Sequence, residues 1–172
     1  MAFYGDPDEL DRLAGQIGRY AEHVRTRGNE MTARASVMHW KSVAADRARE
    51  VVAGDHRQLE EAARGLEDAA ALLRRHAQEV RETLAKITMF EREVTSWFDS
   101  ATKAFNTAVH EFNDLVSDIA HGVKQLFGGG QPEPPIPPWQ GWPHQPGTLP
   151  PPGDMRWLDV GEFMRRQGVI SR

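Results

Sequence analysis

Apolar residues recur at Leu10, Leu13, Ile17, Tyr20, Val24, Met31, Ala35 and Met38, at steps mostly of three and four. That spacing places them on one stripe of an α-helix. Gly28 fills one step, where a small side chain permits close approach of a partner helix. Just upstream, Pro7 suits a first helical position. The acids Asp6, Asp8, Glu9 and Asp11 suit the positive end of the helix dipole. The periodicity blurs over residues 35–42, which predicts a hairpin bend with Ser42 as the N-cap of the next helix. A second stripe follows at Val51, Val52, Leu59, Ala63, Leu66, Ala70, Leu73, Ala77, Val80, Leu84 and Ile87, heptad-like from Leu59 onward. Gly54 and Gly65 lie within it, each costing about 1 kcal/mol relative to alanine.

The helical period continues through Phe90, Val94, Trp97, Ala101, Phe105, Ala108, Phe112, Leu115, Ile119, Val123 and Leu126. Phenylalanine and tryptophan now take the place of leucine and alanine. A single helix from Ser42 to Phe127 would span roughly 130 Å. A break between about Lys86 and Ser96 is therefore expected, with a third helix that folds back or meets a partner. Gly128, Gly129 and Gly130 end the pattern. Ten of the eleven prolines follow within residues 131–153, which predicts an extended, disordered linker. Trp139 and Trp142 are unusual there, and with Trp157 further on they are either hydrophobic accidents or a short linear motif for a partner's groove. Residues 154–168 fit one short amphipathic helix with Trp157, Val160, Phe163 and Met164 on a shared face, marginal by itself in water.

The composition agrees with an all-α chain. Hydrophobic residues make up 40% but aromatic residues only 8%, so helices packed through small residues are favoured over a sheet. A net charge of -4 gives no reason to expect nucleic acid or an anionic membrane as partner. The absence of cysteine excludes disulfides and thiolate metal sites. The N-terminus has no basic segment followed by an apolar one, so a cleaved signal peptide is not expected. No apolar run is long enough to span a membrane.

Candidate chemistry is sparse. No nucleophile is paired with a base in sequence, and the glycine triplet follows a helix rather than a strand, so it is no phosphate loop. His110, Asp114, Asp118 and His121 share one helical face. A solvated polar face explains them better than a metal site, which ordinarily takes ligands from a second helix. The expectation is a non-enzymatic protein without catalytic residues, cofactor or metal. Trp40 is the most informative residue. It either plugs the end of the hairpin or is displayed at the bend for recognition.

Two striped helices joined at Trp40, Lys41 and Ser42 resemble the WXG-motif (ESAT-like) family of type VII secretion substrates. The resemblance covers residues 1–88, and the stretch 70–80 also looks like the second helix of actinobacterial members. In that family a helix-turn-helix carries Trp-X-Gly at its bend, and two hairpins pair into a four-helix bundle. Ser42 stands where the family has glycine. The family's Tyr-X-X-X-Asp/Glu export signal follows the second helix. Here the letters fit only at Tyr4–Asp8, at the other end of the chain.

The expected architecture is thus a long helical hairpin (1–88), an aromatic-striped helical extension (89–127), a Gly/Pro-rich linker (128–153) and a short amphipathic segment (154–172). The hairpin interface is expected at Leu10, Leu13, Ile17, Val24, Leu59, Leu66, Leu73 and Val80. The resemblance implies a secretion substrate, or a targeting partner for an effector. It would act by helix pairing as a homodimer or heterodimer with another such hairpin or with an effector, and would meet the secretion machinery. It would be secreted without a cleaved signal, or cytoplasmic before export. The rivals are a cytosolic coiled-coil scaffold and a membrane-interacting protein using Phe90, Trp97, Phe98, Phe105 and Phe112.

Overall fold

The computed structural model describes residues 6–39, 41–120 and 133–171, apart from the side chains of Ile119 and Ala120. Three helices make up the described regular structure: α1 (Pro7–Ser36), α2 (Val43–Ala120) and α3 (Arg156–Arg166). The chain divides into two compact units between Thr83 and Leu84.

The helix starts follow from local chemistry. Asp6 caps α1, its Oδ1 accepting from the Asp8 N–H at 3.0 Å, and Pro7 takes the first helical position. Ser42 caps α2, its Oγ accepting from the Ala45 N–H at 3.1 Å. Between the two helices, Arg49 Nη2 donates to the Met38 carbonyl at 3.0 Å and so ties the bend back onto α2.

In the first unit, α1 and the first part of α2 form the antiparallel hairpin. Two lines of residues, each repeating every seven positions, define its seam. Ala14, Ala21 and Gly28 on α1 and Ala63, Ala70 and Ala77 on α2 are buried. Larger neighbours such as Ile17, Val24, Leu59, Leu66 and Leu73 are only half-buried. Small residues let the backbones approach closely. A Cβ added at Gly28 would already lie 3.5 Å from Leu59 Cβ. The leucines then flank the seam rather than filling it.

The break expected between Lys86 and Ser96 is absent, because α2 continues as one α-helix to Ala120. Residues 89–120 are therefore the second part of α2 and not a separate helix; 121–127 lie outside the described residues. The change from leucine to aromatic residues marks a change in what covers the helix, not an interruption of its hydrogen bonding.

The second unit shows what does the covering. Gly128, Gly129 and Gly130 lie outside the described residues. From Glu133 onward, the expected disordered linker is instead a strap that runs back along α2. Tight turns shape it, with the Gln140 N–H donating to the Pro137 carbonyl at 2.9 Å and the Trp142 N–H to the Trp139 carbonyl at 3.0 Å. Trp139 meets Phe98 and Phe105 edge-on, each at 5.9 Å between ring centroids. Trp142 stacks on Trp97 at 5.2 Å. Such ring pairs contribute about 0.5–1.5 kcal/mol each beyond simple burial. Proline lowers the entropy lost on ordering this segment, and the tryptophans supply the apolar area.

Helix α3 completes the unit. Trp157, Val160 and Met164 are buried as the sequence pattern predicts, and Phe163 is half-buried. Trp157 Nε1 donates to the Pro151 carbonyl at 2.9 Å. Gly161 abuts the Phe90 ring, leaving no room for a Cβ. The Arg165 guanidinium lies over the Phe90 ring, 4.5 Å from its centroid. Ile87, Phe90, Val94 and Phe98 form the α2 side of this core.

Candidate interaction surface

The eight interface residues expected on the hairpin are not equivalent. Val80 is buried within the chain. Leu10, Ile17, Val24, Leu59, Leu66 and Leu73 are half-buried, and Leu13 is 42% exposed. Tyr20, Val51 and Leu72 are also well exposed. The hairpin therefore closes on its alanines while keeping part of its leucine surface in contact with water. Single exposed leucines are ordinary on protein surfaces, but a repeating line of them is suited to further helix packing.

Ion pairs fix the hairpin register at the edge of this surface. Arg25 makes a forked pair with Glu67, at 2.8 and 3.0 Å, and reaches Glu60 at 3.4 Å. Hydrogen bonding to Arg25 holds the Glu67 carboxyl below the ordinary carboxylate range, and the same bonds raise the Arg25 guanidinium. Nearer the open end, Arg81 Nη2 lies 2.7 Å from both Asp8 and Asp11, whose hydrogen bonds raise its pKa. These pairs are at most partly covered, so salt still screens them. They favour one alignment of the helices over its neighbours more than they add stability.

At the bend, Trp40 lies outside the described residues, and Lys41 is exposed. Ser42 is occupied as the α2 N-cap, which gives that motif position a purely local reason for its side chain. Beside the bend, the helices leave a half-open groove of about 570 Å³. Met31 and Ala35 from α1, Met38 from the bend, and Ala45, Ala48 and Val52 from α2 line its apolar floor. Arg27, Arg34, Glu30 and Arg49 stand at its rim. The methionines belong to the apolar stripe read from sequence. Arg27 and Arg34, seven positions apart, share a face of α1 by spacing alone, and the fold brings Arg49 of α2 to the same depression.

In the second unit, the aromatic face at Phe90, Trp97, Phe98 and Phe105 is taken up by the chain's own strap and α3. Trp139, Trp142 and Trp157 thus have partners within the molecule. Phe112 is half-buried, and Leu115 and Val116 beyond it are exposed. His110, Asp114 and Asp118 are exposed on α2, and His121 lies outside the described residues. Among the described residues no three His, Asp or Glu side chains gather in a metal-holding cluster, and no helix is long and apolar enough to cross a membrane. No family model matches the chain, and neither a curated protein nor a solved structure matches it.

Proposed function

We propose that this chain is a type VII secretion-associated protein that works by helix–helix pairing, as a secreted substrate or as the targeting partner of an effector. The observation that supports this is the hairpin seam. Small residues bring α1 and α2 together, and the adjoining leucines stay half-covered along a heptad line. A second hairpin, identical or not, would bury that line by the packing used in four-helix bundles. Trp40 at the bend would serve recognition by the secretion machinery, with the chain cytoplasmic before export and carrying no catalytic role.

Export tests the reading. The tagged protein is expressed in an actinobacterial host with and without a working type VII ATPase, alongside Trp40→Ala. It is expected in the medium only when both the ATPase and Trp40 are intact. Retention of the protein while other substrates are exported would exclude it as a substrate.

One observation favours a second reading, a coiled-coil scaffold unrelated to secretion. Ser42 has a sufficient structural role as an N-cap, so the motif at the bend needs no recognition function to explain its third residue. In that case Trp40→Ala leaves pairing unchanged and has no export phenotype.

A further inference from the structure

The groove beside the bend combines three features that no part of the pairing surface shares. Its floor contains two methionines, Met31 and Met38, whose unbranched side chains adapt to different apolar shapes. Three of its four charged rim residues are arginines, in a chain whose net charge is -4. It is also only half enclosed. An enclosed ligand pocket covers most of a small molecule, whereas an open groove between helices suits a ligand that spans it and brings its own polar outer face.

The arginines differ in how free they are. Arg27 is 3.0 Å from Glu30, and Arg49 is committed to Asp46 at 2.7 Å and to the Met38 carbonyl. Arg34 is exposed and makes no ion pair among the described residues. A guanidinium held beside an apolar floor, with no carboxylate of its own, complements an acidic group flanking an apolar anchor.

We propose that this groove docks an acidic amphipathic helix of a partner protein. Leucine-like side chains of that helix would enter between Met31, Met38 and Val52, and its carboxylates would face Arg34 and Arg27. Docking here is independent of export and of pairing along the leucine line.

The test uses the full-length protein and a synthetic labelled helix bearing leucines at i, i+3, i+4 and i+7, with glutamates elsewhere. A matched peptide has lysines in place of the glutamates. Fluorescence anisotropy is expected to show the glutamate peptide binding at least tenfold more tightly than the lysine peptide, with the preference shrinking as salt is raised. In the double variant Arg27→Glu/Arg34→Glu the preference should reverse, and Met31→Lys should weaken binding at least tenfold. Circular dichroism confirms that each variant keeps its helix content. The reversal is the decisive readout, because a variant that merely loosened the hairpin would lose both peptides alike. Equal affinity for the two peptides, or binding indifferent to the rim and floor variants, overturns the proposal. So does a sedimentation profile in which the rim variant dissociates a dimer, since a second copy would then be the occupant. Tight binding of dodecanoate that displaces the glutamate peptide would equally overturn it in favour of a small amphiphile.

Discussion

The two units reach a dry interior by opposite means. In the hairpin, every buried α1 residue is alanine or glycine, and the seam is closed by bringing backbones together. In the second unit, Phe90, Phe98, Trp157 and Met164 fill the interior, and the partner is a strap rather than a long helix. The same helix serves both, with only the size of its contact residues changed: Ala63, Ala70 and Ala77 in one, Phe98 and Phe105 in the other. Close helix pairing needs absent side chains. An irregular, proline-rich segment cannot approach so closely and needs large ones.

That contrast is tested by reversing the sizes. The largest effect is expected for Phe98→Ala, which removes the ring between Trp97 and Trp139. It should cost about 3–5 kcal/mol, and hydrogen exchange should accelerate in α3 while amides around Ala21 and Ala70 stay protected. Equal loss of protection in the hairpin would show the two units to be one cooperative structure. In the hairpin the order of penalties should invert. Ala70→Leu is expected to cost about 1–3 kcal/mol by forcing the helices apart, whereas the truncation Leu66→Ala, at a half-exposed site, costs less. Urea denaturation of dilute protein gives both values, and a larger loss for Leu66→Ala would mean that leucines hold the hairpin after all. The smallest effect concerns the junction between the helices. Ser42→Ala should cost about 1 kcal/mol and Ser42→Gly only a few tenths. Calorimetric melts that fall equally for both would deny the hydroxyl its capping role.

The parts legible in sequence were those set by local chemistry. Asp6 and Pro7 mark the start of α1, Ser42 marks the start of α2, and the shared face of Trp157, Val160 and Met164 is buried as its spacing implies. The continuity of α2 was not legible from residue type, because a change from leucine to phenylalanine resembles a change of element. The backbone period never breaks there, and the helix follows the period rather than the residue type. The strap escapes the sequence pattern for a related reason. Proline content reports on backbone preference, while the burial of this segment depends on Trp139 and Trp142, whose presence in a supposed linker was the available clue. The groove was legible only in its apolar floor, since Met31, Ala35, Met38 and Val52 all lie on the stripes. Its charged residues come from both sides of the bend, Arg27, Glu30 and Arg34 from α1 and Arg49 from α2, and only the hairpin brings the two sets together.

The stacking of Trp142 on Trp97, at 17° between planes, has an optical consequence. Of the chain's five tryptophans, Trp97, Trp139, Trp142 and Trp157 all belong to the second unit, and the remaining one is Trp40. A Trp40→Phe protein would therefore confine all indole emission to the strap and its helix. Near-parallel indoles at this separation couple excitonically, so such a protein would carry its own ultraviolet signature of a docked strap, one that dims when the strap lifts even if the helices remain intact.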